Sequence, residues 1–407
     1  YALGQLRGDE TAANEKITEL YPLFFEDMNK EKNAIDLVIE LCEFGLYEKA
    51  KSILEGCEER AMKHYYLAYI YGKLGRSDDA AREIKKADAC DWQCEFPSRT
   101  ESIAVLSYAA SARAHYYLGC LLYNFERYEA ACDYFRRSVD ADDSFAPAHR
   151  CLSLGLYDHL SDPEGARVHL EKAFELMPDS NRIFFELTML YKNLNLPTDE
   201  RLAFYESHSE LTFSRDDCTL ALSVLYTVKG DYDKANSVLA SHRFHTYEGG
   251  EGYLTQHHAW LHFLMGKKLI DAGEYEKAIA VLNDGLTFPE NYGEEKNYFV
   301  NDAPIYYSLA TCYKALGDSE NAEKYDLLAL STNGSPTIHS YFQCLALSRL
   351  GKNEECADLA NDLRRIGNDK IRNAAVNDYY GVGAPAYSPF SYDIVKAHTL
   401  AGCQLLG

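Results

Sequence analysis

Along this 407-residue chain a small residue, nearly always alanine, keeps returning at a spacing of about 34 residues. The points are Ala13, Ala50, Ala80, Ala131, Ala166, Ala235, Ala278, Ala322 and Cys356. A glycine stands five residues ahead of most of them, at Gly8, Gly45, Gly75, Gly230, Gly273, Gly317 and Gly351. Such a period belongs to stacked helix pairs, each too small to bury its own apolar face and stable only against its neighbours. The fold expected is therefore all-α, a solenoid of about ten helix pairs with loop insertions. In it, glycine turns the chain between two helices, and the small residue marks where they touch. A fold of this kind is a surface for holding something.

Composition narrows what is held. The formal net charge is −22, with no cluster of lysine and arginine, which argues against nucleic acid and anionic membranes as partners. No apolar run approaches the length of roughly 18 residues that spans a bilayer. Twelve cysteines are scattered without pairing logic, the usage of a reducing compartment, so the expected location is cytoplasmic. The spacing of Cys90 and Cys94, with no second pair, is a poor zinc site. No cofactor or metal is called for. The start reads as the second half of a first helix and the end, Tyr392 to Gly407, as a helix without its partner. The expectation is one array over 1–407, cut from a longer chain.

Several units carry a fuller pattern. One has Leu118-Gly119, Ala131 and Phe135; the next has Ala166, Leu170, Ala173 and Pro178; a later one has Tyr306, Leu309, Ala310, Tyr313, Gly317, Ala322 and Ala329. These residues resemble the tetratricopeptide repeat (TPR) superfamily, and the resemblance implies a right-handed superhelix. The spacings also depart from the period. Ala166 to Ala235 is 69 residues, which leaves room for one degenerate unit around Arg182 to Leu211. Insertions fall near 90–106, 243–253, 289–302 and 365–390, and insertions in such arrays go to loops, often on the binding face. Over 244–390, the order of the Phe244–Tyr253 segment, Pro289–Lys296, Asn301-Asp302 and Asn377–Tyr380 is similar to bacterial proteins of unassigned function. In those, a TPR array follows a sugar-mutarotase-like β-sandwich. The resemblance implies a carbohydrate context and an N-terminal domain that is absent here.

The insertions supply the candidate chemistry. Glu248-Gly249-Gly250-Glu251-Gly252 has the backbone freedom to approach a ligand closely. Its two carboxylates, Glu248 and Glu251, are the raw material of acid–base catalysis on a sugar, or else one of them caps the helix that follows. His258 and His262 have the spacing of paired zinc ligands but lack the intervening glutamate, so packing is the alternative. The next insertion carries Glu290, Asn291 and Glu294. Lying one unit on, it is expected to project from the same edge and form a composite site or docking surface. In TPR-like register, Tyr65, Tyr69, Tyr116, Tyr123, Tyr307 and Tyr341 fall at first-helix positions that line a concave groove. Rings with hydroxyls suit peptides or sugars. No nucleophile–base set is present, so an enzyme is less favoured than a module. The leading role is a scaffold that docks a protein partner or the absent N-terminal domain. The alternative is an accessory array of a carbohydrate-active enzyme whose Glu248–Glu251 loop contacts an oligosaccharide.

Overall fold

The computed structural model describes residues 30–93, 95–245, 250–296, 300–331 and 339–372, and among them every regular element is a helix. The chain divides into two compact units, Tyr1–Pro178 and Asp179–Gly407. In the first, the helix pairs are α1 (Lys30–Glu43) with α2 (Tyr47–Glu55), α3 (Ala61–Lys73) with α4 (Ser77–Ala89), α6 (Ala112–Asn124) with α7 (Tyr128–Ala141), and α8 (Ala146–Asp158) with α9 (Pro163–Leu176). A short helix, α5 (Ser102–Ala109), stands between the second and third pairs. In the second unit, α10 (Asn181–Asn193) pairs with α11 (Thr198–Ser207), which runs into the short α12 (Ser209–Phe213). Then come α13 (Asp216–Lys229) with α14 (Tyr232–Ser241), α15 (Tyr253–Asp271) with α16 (Tyr275–Asp284), α17 (Ala303–Ala315) with α18 (Ser319–Leu330), and α19 (His339–Arg349) with α20 (Asn353–Arg372).

The repeating alanines are the points of closest helix approach. Ala50, Ala131, Ala166, Ala235 and Ala278 are wholly buried. The facing residue on the first helix of a pair is small for the same reason. Where it carries a hydroxyl, that hydroxyl is used: Ser153 Oγ donates to the Ala166 carbonyl at 2.6 Å, and Ser223 Oγ to the Ala235 carbonyl at 2.9 Å. A bond of this kind satisfies a buried side chain and ties the two helices at one step. Between pairs the core is filled by larger residues. Phe263, Leu282, Ile305 and Leu309 from α15, α16 and α17 form one such cluster, with Trp260 and Phe342 packed against it.

The turns confirm the glycine rule and extend it. Gly45, Gly75, Gly230, Gly273, Gly317 and Gly351 all have φ between +71° and +83°, the left-handed region that glycine enters without penalty. Gly8 lies outside the described residues. The same position, five residues ahead of the buried alanine, is Glu126 (φ +58°) and Ser161 (φ +54°) in two units. These two turns carry a strain that glycine relieves. Glu126→Gly is therefore expected to stabilise the first unit by about 0.5–1 kcal/mol, read as a higher urea midpoint at unchanged slope. A fall in midpoint would show that the turn is not strained. Asn195 (φ +54°) turns the chain between α10 and α11, so the degenerate unit is a true helix pair.

The first insertion is not a loop throughout. Its second half is α5, which lies along α3: the Tyr66 hydroxyl meets Ser102 Oγ at 2.9 Å, and the Tyr69 and Tyr108 rings meet edge to face at 6.0 Å. The insertion near 365–390 begins inside α20; the rest of it, with Asn377–Tyr380, lies outside the described residues.

Candidate functional site

The insertions near 243–253 and 289–302 come together, held by the backbone. Phe244 donates its N–H to the Asn291 carbonyl at 2.8 Å. The Asn291 amide in turn donates to the carbonyls of Leu239 (2.9 Å) and His242 (2.7 Å) at the end of α14. A single turn of 3-10 helix, Glu290–Tyr292, thereby seats Tyr292 in the core, 2 % exposed, with its hydroxyl on His258 Nδ1 at 2.9 Å. Farther along, the Gly252 N–H at the start of α15 donates to Glu294 Oε2 at 3.1 Å. A carboxylate at a helix N-terminus is favoured by the helix dipole, and Glu294 brings one to α15 from 42 residues away. Glu248 and Gly249 lie outside the described residues, Gly250 is half-buried, and Glu251 and Glu290 are exposed.

Asn291 and Glu294, expected as ligand contacts, are thus engaged in holding the two insertions to the array. Asn291→Ala leaves the Leu239 and His242 carbonyls without their donor. It is expected to cost about 1–3 kcal/mol and to raise amide exchange at Phe244. Protection at Phe244 equal to wild type would show that the amide is not the pin.

The histidines beside these loops are packing residues with assigned hydrogen bonds. Asp216, at the start of α13, accepts from the His242 ring at 2.6 Å and from the His245 N–H at 2.8 Å. His257 meets Ser223 Oγ at 2.9 Å, His258 donates from Nε2 to the Asp284 carbonyl at 3.1 Å, and His262 donates from Nδ1 to the His258 carbonyl at 2.9 Å. Burial pulls the pKa of His257 down to about 3 and that of His258 to about 4, and the neighbouring histidines push the same way. Both rings are therefore neutral through the physiological range. Among the described residues no group of three histidine, cysteine or acidic side chains is arranged to hold a metal ion.

The six tyrosines separate into two sets. Tyr65 and Tyr116 are 0 % and 6 % exposed, which removes them from an accessible groove lining. The Tyr65 hydroxyl donates to Asp88 at 2.6 Å, and the Tyr116 ring lies edge-on to Phe145 at 5.2 Å. Large rings at these positions reach across to the next helix, because the small residues nearby bring the backbones close. The other four are half-buried. Tyr69 is met by Tyr108 of the insertion helix. The Tyr123 hydroxyl pairs with His159 at 2.9 Å, and Tyr307 lies under the Arg349 guanidinium at 4.1 Å. Tyr341 packs edge-on to Phe342.

A cavity of the second unit lies elsewhere, in the degenerate unit. Helices α10, α11 and α13 wall a pocket of 250 Å³. Phe185, Met189, Leu225 and Val228 supply its apolar lining, and Lys192 and Arg201 its cations. Val228 is 61 % exposed at the rim. The Arg201 Nε is shut off from solvent with no hydrogen-bond partner, and burial lowers the guanidinium pKa. Sequence reading missed this pocket because it sought rings in regular units. The available signal was the 69-residue gap itself, where the packing alanine is missing.

The tetratricopeptide repeat model matches residues 112–145 and 303–334, which begin at α6 and at α17. Tetratricopeptide repeats are thus present in both units. Among solved structures, the chain is similar to MamA at 20% identity, covering 46% of this chain and 94% of that one with a TM-score of 0.25. Similarity to Pseudomonas aeruginosa pilF is 21% over 51% of this chain and 88% of that one, with a TM-score of 0.29. For YrrB, titled a TPR protein with an unusual peptide-binding site, the values are 22%, 48%, 89% and 0.30. No described helix is long and apolar enough to cross a membrane.

Proposed function

We propose that this chain, built on tetratricopeptide repeats, is a protein-interaction scaffold whose second unit receives a segment of a partner protein, or of a further domain of the same polypeptide, at the α10–α11–α13 pocket. The observation that carries this reading is the pocket itself, apolar, open at Val228 and walled by helices of the repeat rather than by a loop. Apolar pockets with a few placed polar groups are where binding energy concentrates. The alternative, a sugar-contacting loop, rests on Glu251, which is exposed. Its partner for acid–base work would have to be Glu248.

Photo-crosslinking tests the scaffold. With p-benzoylphenylalanine at Val228, irradiated cells are expected to give discrete covalent adducts to protein. The same group at Leu327, which is 50 % exposed on α18, serves as the control and is expected to give few. Equal adducts at both positions, or none at Val228, would reject the reading.

A further inference from the structure

We propose that the α10–α11–α13 pocket docks a protein segment presenting an internal aspartate or glutamate flanked by large apolar side chains, with Arg201 pairing the carboxylate. This deepens the scaffold reading and rests on it. Three observations point the same way.

The first is size and lining. A volume of 250 Å³ exceeds the roughly 150 Å³ of a dry cavity that admits a benzene ring. It therefore takes a phenyl or leucyl side chain with a carboxylate beside it. Phe185, Met189, Leu225 and Val228 face such a side chain.

The second is the state of Arg201. Its Nε has no hydrogen-bond partner, and among the described residues the side chain makes no ion pair. An N–H of a cation taken out of water without an acceptor is costly, and a carboxylate arriving with a ligand removes that cost.

The third is that the one acid lining the pocket, and two acids on the helices that wall it, are engaged elsewhere. Asp217, which also lines the pocket, is held by Arg215 at 2.6 Å. Asp199 is held by Lys229 at 2.6 Å, and Glu186 by Arg182 at 3.3 Å. In a chain of net charge −22, a guanidinium left over at an apolar pocket is a local exception to the field, and it selects an acidic visitor. Arginine is also the charged residue most at home in interface hot spots, where its planar fork matches a carboxylate.

The test measures binding to the full 407-residue chain by fluorescence polarisation with three fluorescein-labelled peptide pools. The first pool is Ac-X-X-Φ-Asp-Φ-X-X-NH2, with Φ leucine or phenylalanine and X neutral polar. The second replaces Asp by Asn. The third keeps Asn and ends in a free carboxylate. The Asp pool is expected to bind roughly 10- to 100-fold more tightly than the Asn pool, the worth of one hydrogen bond to a charged group. Arg201→Gln should remove that difference while leaving binding of the Asn pool as it was. Val228→Glu, at an exposed rim site, should weaken the Asp pool selectively at an unchanged melting temperature. It decides the matter if Arg201→Gln fails to fold.

Equal binding of the Asp and Asn pools, tightest binding of the free-carboxylate pool, no binding of any pool, or indifference to both substitutions would each overturn the proposal. A Val228 crosslink in cells without Asp-dependent peptide binding would retain the scaffold and reject the carboxylate. Absence of the crosslink would reject the scaffold reading itself.

Discussion

Moving from pH 7 to pH 5 is expected to remove about 4 kcal/mol from the stability of the second unit through His257 and His258 alone. In the unfolded chain a histidine takes up its proton near pH 6.5. In the folded chain His257 holds out to about pH 3 and His258 to about pH 4, because both rings are buried, 1 % and 3 % exposed, and the His262 ring centroid lies 4.1 Å from that of His258. A folded pKa below the unfolded one means that the unfolded state binds more protons throughout the interval. Stability is then full above pH 6.5 and falls by about 1.4 kcal/mol per pH unit per histidine until the folded pKa is reached. One group in the same unit opposes this. Asp326, 2 % exposed, has its pKa pushed up to about 6 by burial, so protonation on acidification favours the folded state by about 1.4 kcal/mol over the same interval. The net expected fall from these three groups is about 2.5 kcal/mol. Urea unfolding at the two pH values measures it. His258→Gln isolates the histidine contribution, and its pH dependence should be smaller than wild type by about 2 kcal/mol. An unchanged dependence would mean that His258 is charged or solvated in the folded state, contrary to its bonds to Tyr292 and Asp284.

What the residues revealed in advance was the spacing, because spacing is set by local geometry. The contact between two helices asks for a residue as small as Ala131 or Ala278, and a turn of positive φ favours a glycine such as Gly230 or Gly273. That two insertions one repeat apart would meet also followed from the period, and Phe244 on Asn291 and Gly252 on Glu294 bear it out. The part Glu294 plays inside that meeting was not legible. Which carboxylate caps α15 depends on the path of a loop 42 residues away, and no local pattern encodes it. Two of the six tyrosines are buried for a related reason. Register places Tyr65 and Tyr116 on the face expected to line a groove, yet how far a long ring leans toward a neighbouring helix is decided by that helix. Asp88 draws in the Tyr65 hydroxyl and Phe145 covers Tyr116. The α10–α11–α13 pocket was hidden most deeply, because what distinguishes it is the engagement of Asp217, Asp199 and Glu186 with other cations. A pairing pattern of that kind exists only in three dimensions.

Gly119→Val is expected to be strongly damaging to the first unit, costing about 3 kcal/mol, at the upper end of overpacking effects. Gly119 lies on α6 with unremarkable helical dihedrals, so its use is not a turn. A Cβ built there would stand 2.5 Å from Phe135 Cε1 and 2.6 Å from Cδ1. Phe135 is 1 % exposed and its ring lies 6.3 Å from that of Tyr116, so it cannot swing aside as a surface side chain would. The collision therefore separates α6 from α7. Gly56→Ala is the contrasting case. Gly56 ends α2 at φ −84°, and its added Cβ meets only the Ile53 carbonyl oxygen, at 3.5 Å. Loss of unfolded-state freedom should then stabilise by about 0.4–1 kcal/mol. Thermal melts of the two variants are expected to move in opposite directions. The mechanism has a sharper test in the double variant Gly119→Val with Phe135→Ala. Removing the ring destabilises by itself but vacates the space the valine needs, so the two changes together should cost less than their sum. Simple additivity would place the damage in helix propensity rather than in the α6–α7 approach. The same logic separates the chain's glycines into two kinds: those such as Gly230, bound by backbone sign, and those such as Gly119 and Gly266, bound by the side chain opposite.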